Sequence, residues 1–356
     1  MTEKEKTKIG FACAYSPLPL IDAAGFVPYR ILPLSDAPDQ AGTLLHDNLC
    51  PHVKRLLDRA MSNDLPALAG VVFMNSCDAM RRLADGWSKA RPEENIALLD
   101  LPIGNNRPSQ DYFEKELSRL SILLEQWGGQ KASNTRLKKS IAAYNDLANA
   151  LDGLKKLSSA GRLAGGAAKL QKVFNKSVTA PIDQTMPEIE NLKSAVNPSE
   201  SEKTHVPVFL FGNVLPDFAA FELFETCGVA LVADDLCTGS RQISPIDNPE
   251  ETEALNDLAR GLLARPPCAR TMPNLQAGEI IDRVVAQAKE CGARGVIAHI
   301  MKFCDPYLAR LPAIQQELRK QDIPLLVLEG DCTLRSLGQQ RTRIEAFVEM
   351  LGGNPS

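Results

Sequence analysis

Continuous apolar runs alternate with amphipathic stretches along most of the chain, and such runs are typical of buried parallel strands. The runs are Ile9–Ala12, Leu68–Met74, Ile96–Leu101, Val208–Gly212, Val229–Ala233, Gly295–Ile300 and Pro324–Glu329. Between the first two runs, Val53, Leu56 and Leu57 recur at helical spacing. This alternation predicts an α/β fold built on open parallel sheets.

The stretch 109–205 departs from this pattern. It is rich in Leu, Ala, Lys and Glu, and Leu117 and Leu120 follow a helical period. Ser133 stands before the next helical pattern and is a candidate N-cap. We therefore predict two open parallel-sheet α/β domains with a helical region between them. The predicted parts are an N-terminal α/β domain at 1–108, a helical insert or linker at 109–205 and a C-terminal α/β domain at 206–356.

The overall composition is that of an ordinary globular protein, with 44% apolar residues, 24% charged residues and a net charge of -4. A negative net charge argues against nucleic acid or an anionic membrane as the main partner. No uncharged apolar stretch of about 18 residues occurs, and the charged first residues lack the apolar core of a signal peptide. We expect a cytoplasmic protein with reduced thiols.

Nine cysteines are the unusual part of the composition. Five follow predicted strands, and sites in open α/β sheets gather at strand ends. These five are Cys13, Cys77, Cys237, Cys304 and Cys332. Cys50 precedes Pro51 at a predicted helix start, where backbone N–H groups favour a thiolate. Cys227 and Cys291 precede glycines at helix ends and are expected only to pack.

The thiols suggest a metal centre. Soft thiolates from separated loops suit an iron–sulfur cluster or zinc. Zinc sites more often use close Cys-x-x-Cys pairs, and the sequence contains none. Cys50, Cys77 and Cys304 lie far apart along the chain, so only a folded cleft between two domains would bring them together.

Eight ordered motifs resemble those of the 2-hydroxyacyl-CoA dehydratase family, which includes benzoyl-CoA reductase subunits and double-cubane-cluster proteins. The resemblance covers nearly the whole chain and is specific for the family rather than for a substrate. The motifs are Gly10–Pro17, Ala24–Arg30, Cys50–Pro51, Gly70–Leu83, Asp85–Trp87, Asp234–Arg241, Lys302–Pro306 and Gln339–Phe347.

The resemblance implies an oxygen-sensitive [4Fe-4S] cluster held by Cys50, Cys77 and Cys304, and therefore an anaerobic setting. It also implies a homodimer or a heterodimer with a paralogous subunit, and a separate ATP-hydrolysing iron–sulfur activator that supplies one low-potential electron. The implied chemistry is radical dehydration or low-potential reduction of an acyl-CoA. The resemblance identifies no catalytic side chain.

Two features separate this sequence from the usual family pattern. Leu18, Pro19 and Leu20 stand where the family usually has acidic residues after the first cysteine motif. Cys13, Cys237 and Cys268 could supply a second set of three thiolates, as in homodimeric double-cubane [8Fe-9S] reductases of small molecules. An alternative interpretation is that these three bind nothing. A further alternative for the whole chain is a non-catalytic electron-carrying subunit.

Several polar residues have both a functional and a structural interpretation. His299 could orient a substrate or be a satisfied core histidine. Asp234 and Asp235 could provide a base or cap the next helix. Three arginines could bind CoA phosphates or lie on the surface: Arg241, Arg341 and Arg343. Neither a GxGxxG fingerprint nor a Walker A motif occurs, so nicotinamide binding is not expected and ATP would be hydrolysed by another protein.

Overall fold

Two four-stranded parallel sheets, one in each half of the chain, organise the protein. The computed structural model describes residues 7–34, 37–195, 205–271, 278–332 and 337–353. The strands are β1 (Lys8–Phe11), β2 (Val27–Arg30), β3 (Leu68–Asn75), β4 (Ile96–Asp100), β5 (Val206–Gly212), β6 (Val229–Asp235), β7 (Gly295–Met301) and β8 (Leu325–Gly330). The predicted fold class, an α/β protein with two parallel sheets, is confirmed.

Helices connect the strands and cover the sheets. They are α1 (Leu18–Ala23), α2 (Pro51–Met61), α3 (Asp78–Ala90), α4 (Arg107–Gln126), α5 (Asn134–Ser159), α6 (Gly166–Ser177), α7 (Ile182–Ser194), α8 (Phe218–Thr226), α9 (Ala254–Leu263), α10 (Glu279–Glu290), α11 (Asp305–Leu308), α12 (Leu311–Lys320) and α13 (Leu337–Met350). Each crossover returns the chain to the same edge of its sheet, so successive strands run parallel.

The two sheets have the same connectivity. Their strand orders are β2-β1-β3-β4 and β6-β5-β7-β8. In each sheet the order of successive strands changes sides between the two central strands, which are β1 and β3 in the first sheet and β5 and β7 in the second. The loops that follow those strands diverge there and leave a crevice beyond the carboxyl ends.

Alternating side chains of β3 pack on opposite faces of the first sheet, as a period of two requires. Val72 faces a cluster that contains Leu117 of α4, whereas Phe73 faces a cluster that contains Trp87 of α3. The rings of Phe73 and Trp87 pack edge to face, with their centroids 5.4 Å apart. Full burial of each such side chain contributes about 1.5–3 kcal/mol, so both layers stabilise the strand.

The middle helices add a third layer. α4 packs on the first sheet through Leu117, and α5 to α7 share a cluster that includes Leu147 and Ile189. Ser133 caps α5 as predicted, because its hydroxyl accepts the Arg136 N–H at 3.4 Å. The domain boundaries drawn from the sequence remain predictions. Within the described ranges, no helix combines the length and apolarity needed to cross a bilayer.

Gly212 ends β5 where the chain passes close to β7. It pairs in register with His299 and has a φ of 151°. A Cβ at this position would lie 1.9 Å from the carbonyl oxygen of His299. We expect Gly212→Ala to lower the free energy of unfolding by more than the roughly 1–3 kcal/mol that backbone strain alone would cost, because the new Cβ would also clash with β7. Urea unfolding measures the change.

Gly42→Ala provides the matched control, because a Cβ there meets no atom within 4 Å. Equal unfolding midpoints for the two variants would show that the close approach of β5 and β7 is wrongly described.

Candidate functional site

A cavity of about 660 Å³ lies between the carboxyl ends of the two sheets. Loops from both halves of the chain line it, including those that follow the central strands β1, β3, β5 and β7. Six cysteines line this single cavity: Cys13, Cys50, Cys77, Cys237, Cys268 and Cys304. The fold thus brings together all six cysteines singled out as candidate ligands in the sequence.

Three of these thiols share one local structure. Cys50, Cys77 and Cys304 are the N-cap residues of α2, α3 and α11, and we call them the helix-cap trio. Burial raises the pKa of Cys50 and of Cys77, and the backbone N–H groups of His52 and Met80 oppose this shift. Unpaired N–H groups at a helix start favour a negative sulfur, which suits a metal-bound thiolate.

Asn213, just after β5, fixes part of the helix-cap trio. Its side-chain amide donates to the Cys304 sulfur at 3.0 Å, while its oxygen accepts the Met301 N–H at 3.1 Å. The Met301 sulfur in turn lies 3.5 Å from the Cys50 sulfur. One amide therefore orients Cys304 and anchors the residue that contacts Cys50.

The other three thiols lie on loops, and we call Cys13, Cys237 and Cys268 the loop trio. Cys13 follows β1, Cys237 follows β6 and Cys268 follows α9. Arg241 donates to the Cys237 sulfur at 3.4 Å, and the Thr271 hydroxyl lies 3.6 Å from the Cys268 sulfur. These sulfurs therefore accept side-chain donors rather than helix-terminal N–H groups.

The two trios influence each other electrostatically. Burial raises the pKa of Cys13 to about 11, and negative charge on Cys268 and Cys237 raises it further. Charge on Cys268 also raises the pKa of Cys77 and Cys304, after burial as the main cause. Charge on the Cys268 sulfur of the loop trio therefore acts on two sulfurs of the helix-cap trio across the cavity.

The bare thiols are held in their protonated form. Burial raises the pKa of Cys50 to about 12, with the charge of Cys304 adding to the effect, and burial raises that of Cys77 to about 11. Thiolate ligands require a compensating positive charge, which a bound metal supplies. A bound metal would therefore favour the thiolate form of Cys50 and Cys77.

The donor set fits an iron–sulfur group. In the described ranges, no three Cys, His, Asp or Glu side chains converge closely enough to chelate one metal ion. In a cluster each thiolate binds a different iron atom, so its ligands need not converge on one point. Six soft sulfurs around one cavity match that requirement.

Arg241 is buried at the wall of this cavity beside Asp235. Its guanidinium pairs with the Asp235 carboxylate at 2.9 Å, and Arg283 pairs with the other oxygen at 2.9 Å. Burial lowers the pKa of Arg241, but the charge of Asp235 together with those of Cys237 and Tyr307 outweighs this and holds the pKa well above its usual value. Arg241 is therefore a charge-compensated part of the wall.

The remaining polar candidates lie elsewhere. Asp234 accepts the N–H groups of Leu236 and Ser240 at 3.1 and 2.8 Å, so it caps the turn after β6. Arg341 and Arg343 lie on α13 and are absent from the residues that line the cavity. The structure gives these three residues local roles.

The other three thiols differ in position. Cys227 and Cys291 end α8 and α10 and pack in apolar clusters, as predicted. Cys332 is buried in a small cluster that also contains Cys50, Cys237 and Cys304. It therefore lies beside the cavity and belongs to the surroundings of both trios.

Sequence reasoning missed three cavity residues: Arg30, Arg265 and Asn213. Arg30 ends β2, an edge strand that the apolar pattern did not indicate. Arg265 follows α9 just before two prolines, and Asn213 follows the glycine that ends β5. Position just after a strand was the signal available for Asn213, and the Ala24–Arg30 motif included Arg30, whereas no comparable signal marked Arg265.

A family model described as 2-hydroxyglutaryl-CoA dehydratase, D-component, matches residues 13–351. The chain belongs to this family. The match begins just after β1 and includes the other seven strands and every residue of the two trios.

Three characterised proteins are similar to this D-component family chain over most of its length. The (R)-phenyllactyl-CoA dehydratase beta subunit of Clostridium sporogenes is 26% identical, over 99% of this chain and 93% of the relative. The lactoyl-CoA dehydratase beta subunit of Anaerotignum propionicum is also 26% identical, over 98% and 93%. One of the benzoyl-CoA reductase subunits of Thauera aromatica is 21% identical, over 89% and 84%.

His299 provides a pH-dependent contribution to stability. It is fully buried within β7, and burial lowers its pKa to about 4 although the Asp331 charge opposes the shift. Between about pH 6.5, where an unfolded histidine titrates, and pH 4, the unfolded chain binds a proton that the folded chain does not. The stability is therefore complete above about pH 6.5 and decreases as the pH falls through this window.

We expect the protonation of His299 in the unfolded chain to lower the free energy of unfolding by about 1–2 kcal/mol between pH 6.5 and pH 5. The substitution His299→Gln should remove this pH-dependent decrease. Urea unfolding of the iron-free chain at both pH values measures it. His46→Gln is the control, because solvent already reaches the His46 ring in the folded chain. An unchanged pH slope in His299→Gln would contradict the assignment.

Proposed function

We propose that this chain is the iron–sulfur component of an oxygen-sensitive, low-potential reductase and holds two linked clusters in one cavity. The observation that supports this most is that both trios line the same cavity. Each trio takes thiols from both halves of the chain, so neither half could complete a trio alone. This arrangement is the one expected for a double-cubane [8Fe-9S] unit.

The chain would hold the unit through two kinds of ligand. The helix-cap trio would bind one cubane, with backbone N–H groups and Asn213 stabilising the sulfur charge. The loop trio would bind the other, with Arg241 and Thr271 as donors. When bound, such a unit supplies low-potential electrons and an iron atom able to polarise a substrate.

One part of the cavity wall would suit an apolar portion of a small substrate. Ile103 and Phe303 both line it, and they remain 48% and 45% exposed. Two large exposed apolar side chains would bind an uncharged reactive group and exclude water from it.

Partner proteins would complete the system. The similar proteins are all named as subunits, so we expect this chain to assemble with a second copy or with a paralogous subunit. Electrons would come from a separate ATP-hydrolysing iron–sulfur activator, since the sequence has no Walker A motif.

A second candidate is the component of an acyl-CoA dehydratase or benzoyl-CoA reductase that carries one [4Fe-4S] cluster. The names of the relatives favour it, since they include phenyllactyl-CoA and lactoyl-CoA dehydratases. In this case only the helix-cap trio would bind iron, and the loop trio would be structural. An electron-carrying protein without its own substrate has no specific support.

Iron and sulfide counting under anaerobic conditions separates these functions. We expect about eight irons per chain for two linked clusters and about four for a single cluster. The measurement is made on the reconstituted full chain by colorimetric iron and sulfide assays. A chain that retains no iron after reconstitution would refute both.

Single-cysteine variants identify the ligands. We expect Cys77→Ser to lose at least half of the bound iron, because the helix-cap trio is shared by both candidates. Cys268→Ser should lose about half of the iron in a two-cluster protein and none in a single-cluster protein. Cys291→Ser is the matched control and should retain all of it, because Cys291 packs at the end of α10 outside the cavity.

A further inference from the structure

Two buried guanidinium groups beside the loop trio stand out from the other basic residues. Arg30 and Arg265 line the cavity and are only 1% and 9% exposed. Arg30 donates to the carbonyl oxygen of Cys237 at 2.7 Å and to the Gln242 amide oxygen at 3.1 Å. Arg265 donates to the carbonyl oxygens of Ala14 and Arg241. All of these acceptors are neutral.

Neither guanidinium meets a carboxylate in the part of the chain that the structure describes. Among the described residues, no Asp or Glu forms an ion pair with Arg30 or Arg265. Arg241 differs, because Asp235 pairs with it at 2.9 Å. Two positive charges are therefore buried at the cavity wall with only dipoles to stabilise them, which is costly in a low-dielectric interior.

The loop trio provides the negative charge that these groups lack. Burial lowers the pKa of Arg30, and negative charge on Cys237 and Cys13 opposes this shift. For Arg265, burial lowers the pKa to about 10, and negative charge on Tyr15, Cys13 and Cys237 opposes the change. The interactions link the two guanidiniums to the same two sulfurs.

Among the described residues, no deeply buried arginine without a carboxylate lies beside the helix-cap trio. The Asn213 amide donates to the Cys304 sulfur, and Arg310 lines the cavity but is only partly buried. Arg270, whose charge opposes the raising of the Cys77 pKa by burial, is exposed. A full charge buried in a low-dielectric wall acts more strongly than peptide dipoles or a solvated side chain. The two trios therefore differ in the potential that their surroundings impose.

We propose that Arg30 and Arg265 are the buried counter-cations of an anionic cluster at the loop trio, and that they make this cluster the first to be reduced. The inference rests on the proposed two-cluster function. With both clusters bound, a low-potential donor such as a reduced viologen would be oxidised by one electron and the loop-trio cluster reduced by one, with no bond formed or broken and no proton transferred. The uncompensated charges stabilise the added electron, because net charge around a cluster sets its potential.

The test is an EPR-monitored redox titration of the anaerobically reconstituted full chain with viologen mediators. We expect Arg265→Met to lower the reduction equilibrium constant of the first-reduced cluster at least tenfold, which is about 59 mV for one electron. Arg265→Lys keeps the charge and should retain most of the wild-type potential. Arg310→Met is the matched control, since Arg310 lines the same cavity but is partly solvated.

Gln242→Glu tests the same idea without removing an arginine. It would place a carboxylate where the Gln242 amide oxygen now accepts from Arg30 at 3.1 Å. The other end of the side chain now donates to the Phe174 carbonyl at 2.7 Å, so folding is checked by circular dichroism. We expect the first potential to fall as in Arg265→Met, because the new carboxylate neutralises Arg30.

The outcomes separate this inference from the proposed function. Lower potentials in Arg265→Met and Gln242→Glu support it, as does loss of about half of the iron in Arg265→Met but not in Arg265→Lys. Wild-type iron content and potentials in both charge-changing variants would overturn it and leave the two-cluster function intact. If Arg265→Met fails to fold, Gln242→Glu decides. Failure of the wild-type chain to bind about eight irons would instead overturn the two-cluster function itself.

Discussion

Parallel strand direction is the constraint from which the site follows. In both sheets every strand runs parallel to its neighbours, so the carboxyl ends of each sheet meet at one edge. The two edges face a common cavity, and Arg30 joins them directly by donating from the end of β2 to the Cys237 carbonyl beyond β6. Thiols more than two hundred residues apart in sequence thereby become neighbours around one volume.

The sequence predicts much of this framework, because fully buried strands are continuous apolar runs. All the runs identified in this way lie in strands, with shifts of a few residues at their ends. β2 is the exception: it contains Pro28 and Arg30 and pairs only with β1 at the edge of its sheet. The edge position allows proline and arginine within its four residues, so β2 shows no apolar run, whereas the other edge strands β4, β6 and β8 do.

The candidate site is predictable to a more limited extent. Cys50, Cys77 and Cys304 could be placed at helix starts, because proline or an acidic residue follows each of them. Their convergence with the loop trio depends on how the two sheets pack, which local patterns do not encode. The same applies to Arg265, whose importance arises from burial without a carboxylate partner, and burial is a property of the folded molecule.

The division of each trio between the two halves has a mechanical consequence. Cys50 and Cys77 belong to the first half and Cys304 to the second, while Cys13 belongs to the first half and Cys237 to the second. In the proposed holoprotein the clusters would cross-link the two halves of the chain. Oxidative loss of the clusters would then break this cross-link and leave the buried guanidiniums of Arg30 and Arg265 without their counter-charge. Exposure to oxygen would in this way loosen the junction between the two halves as well as abolish electron transfer.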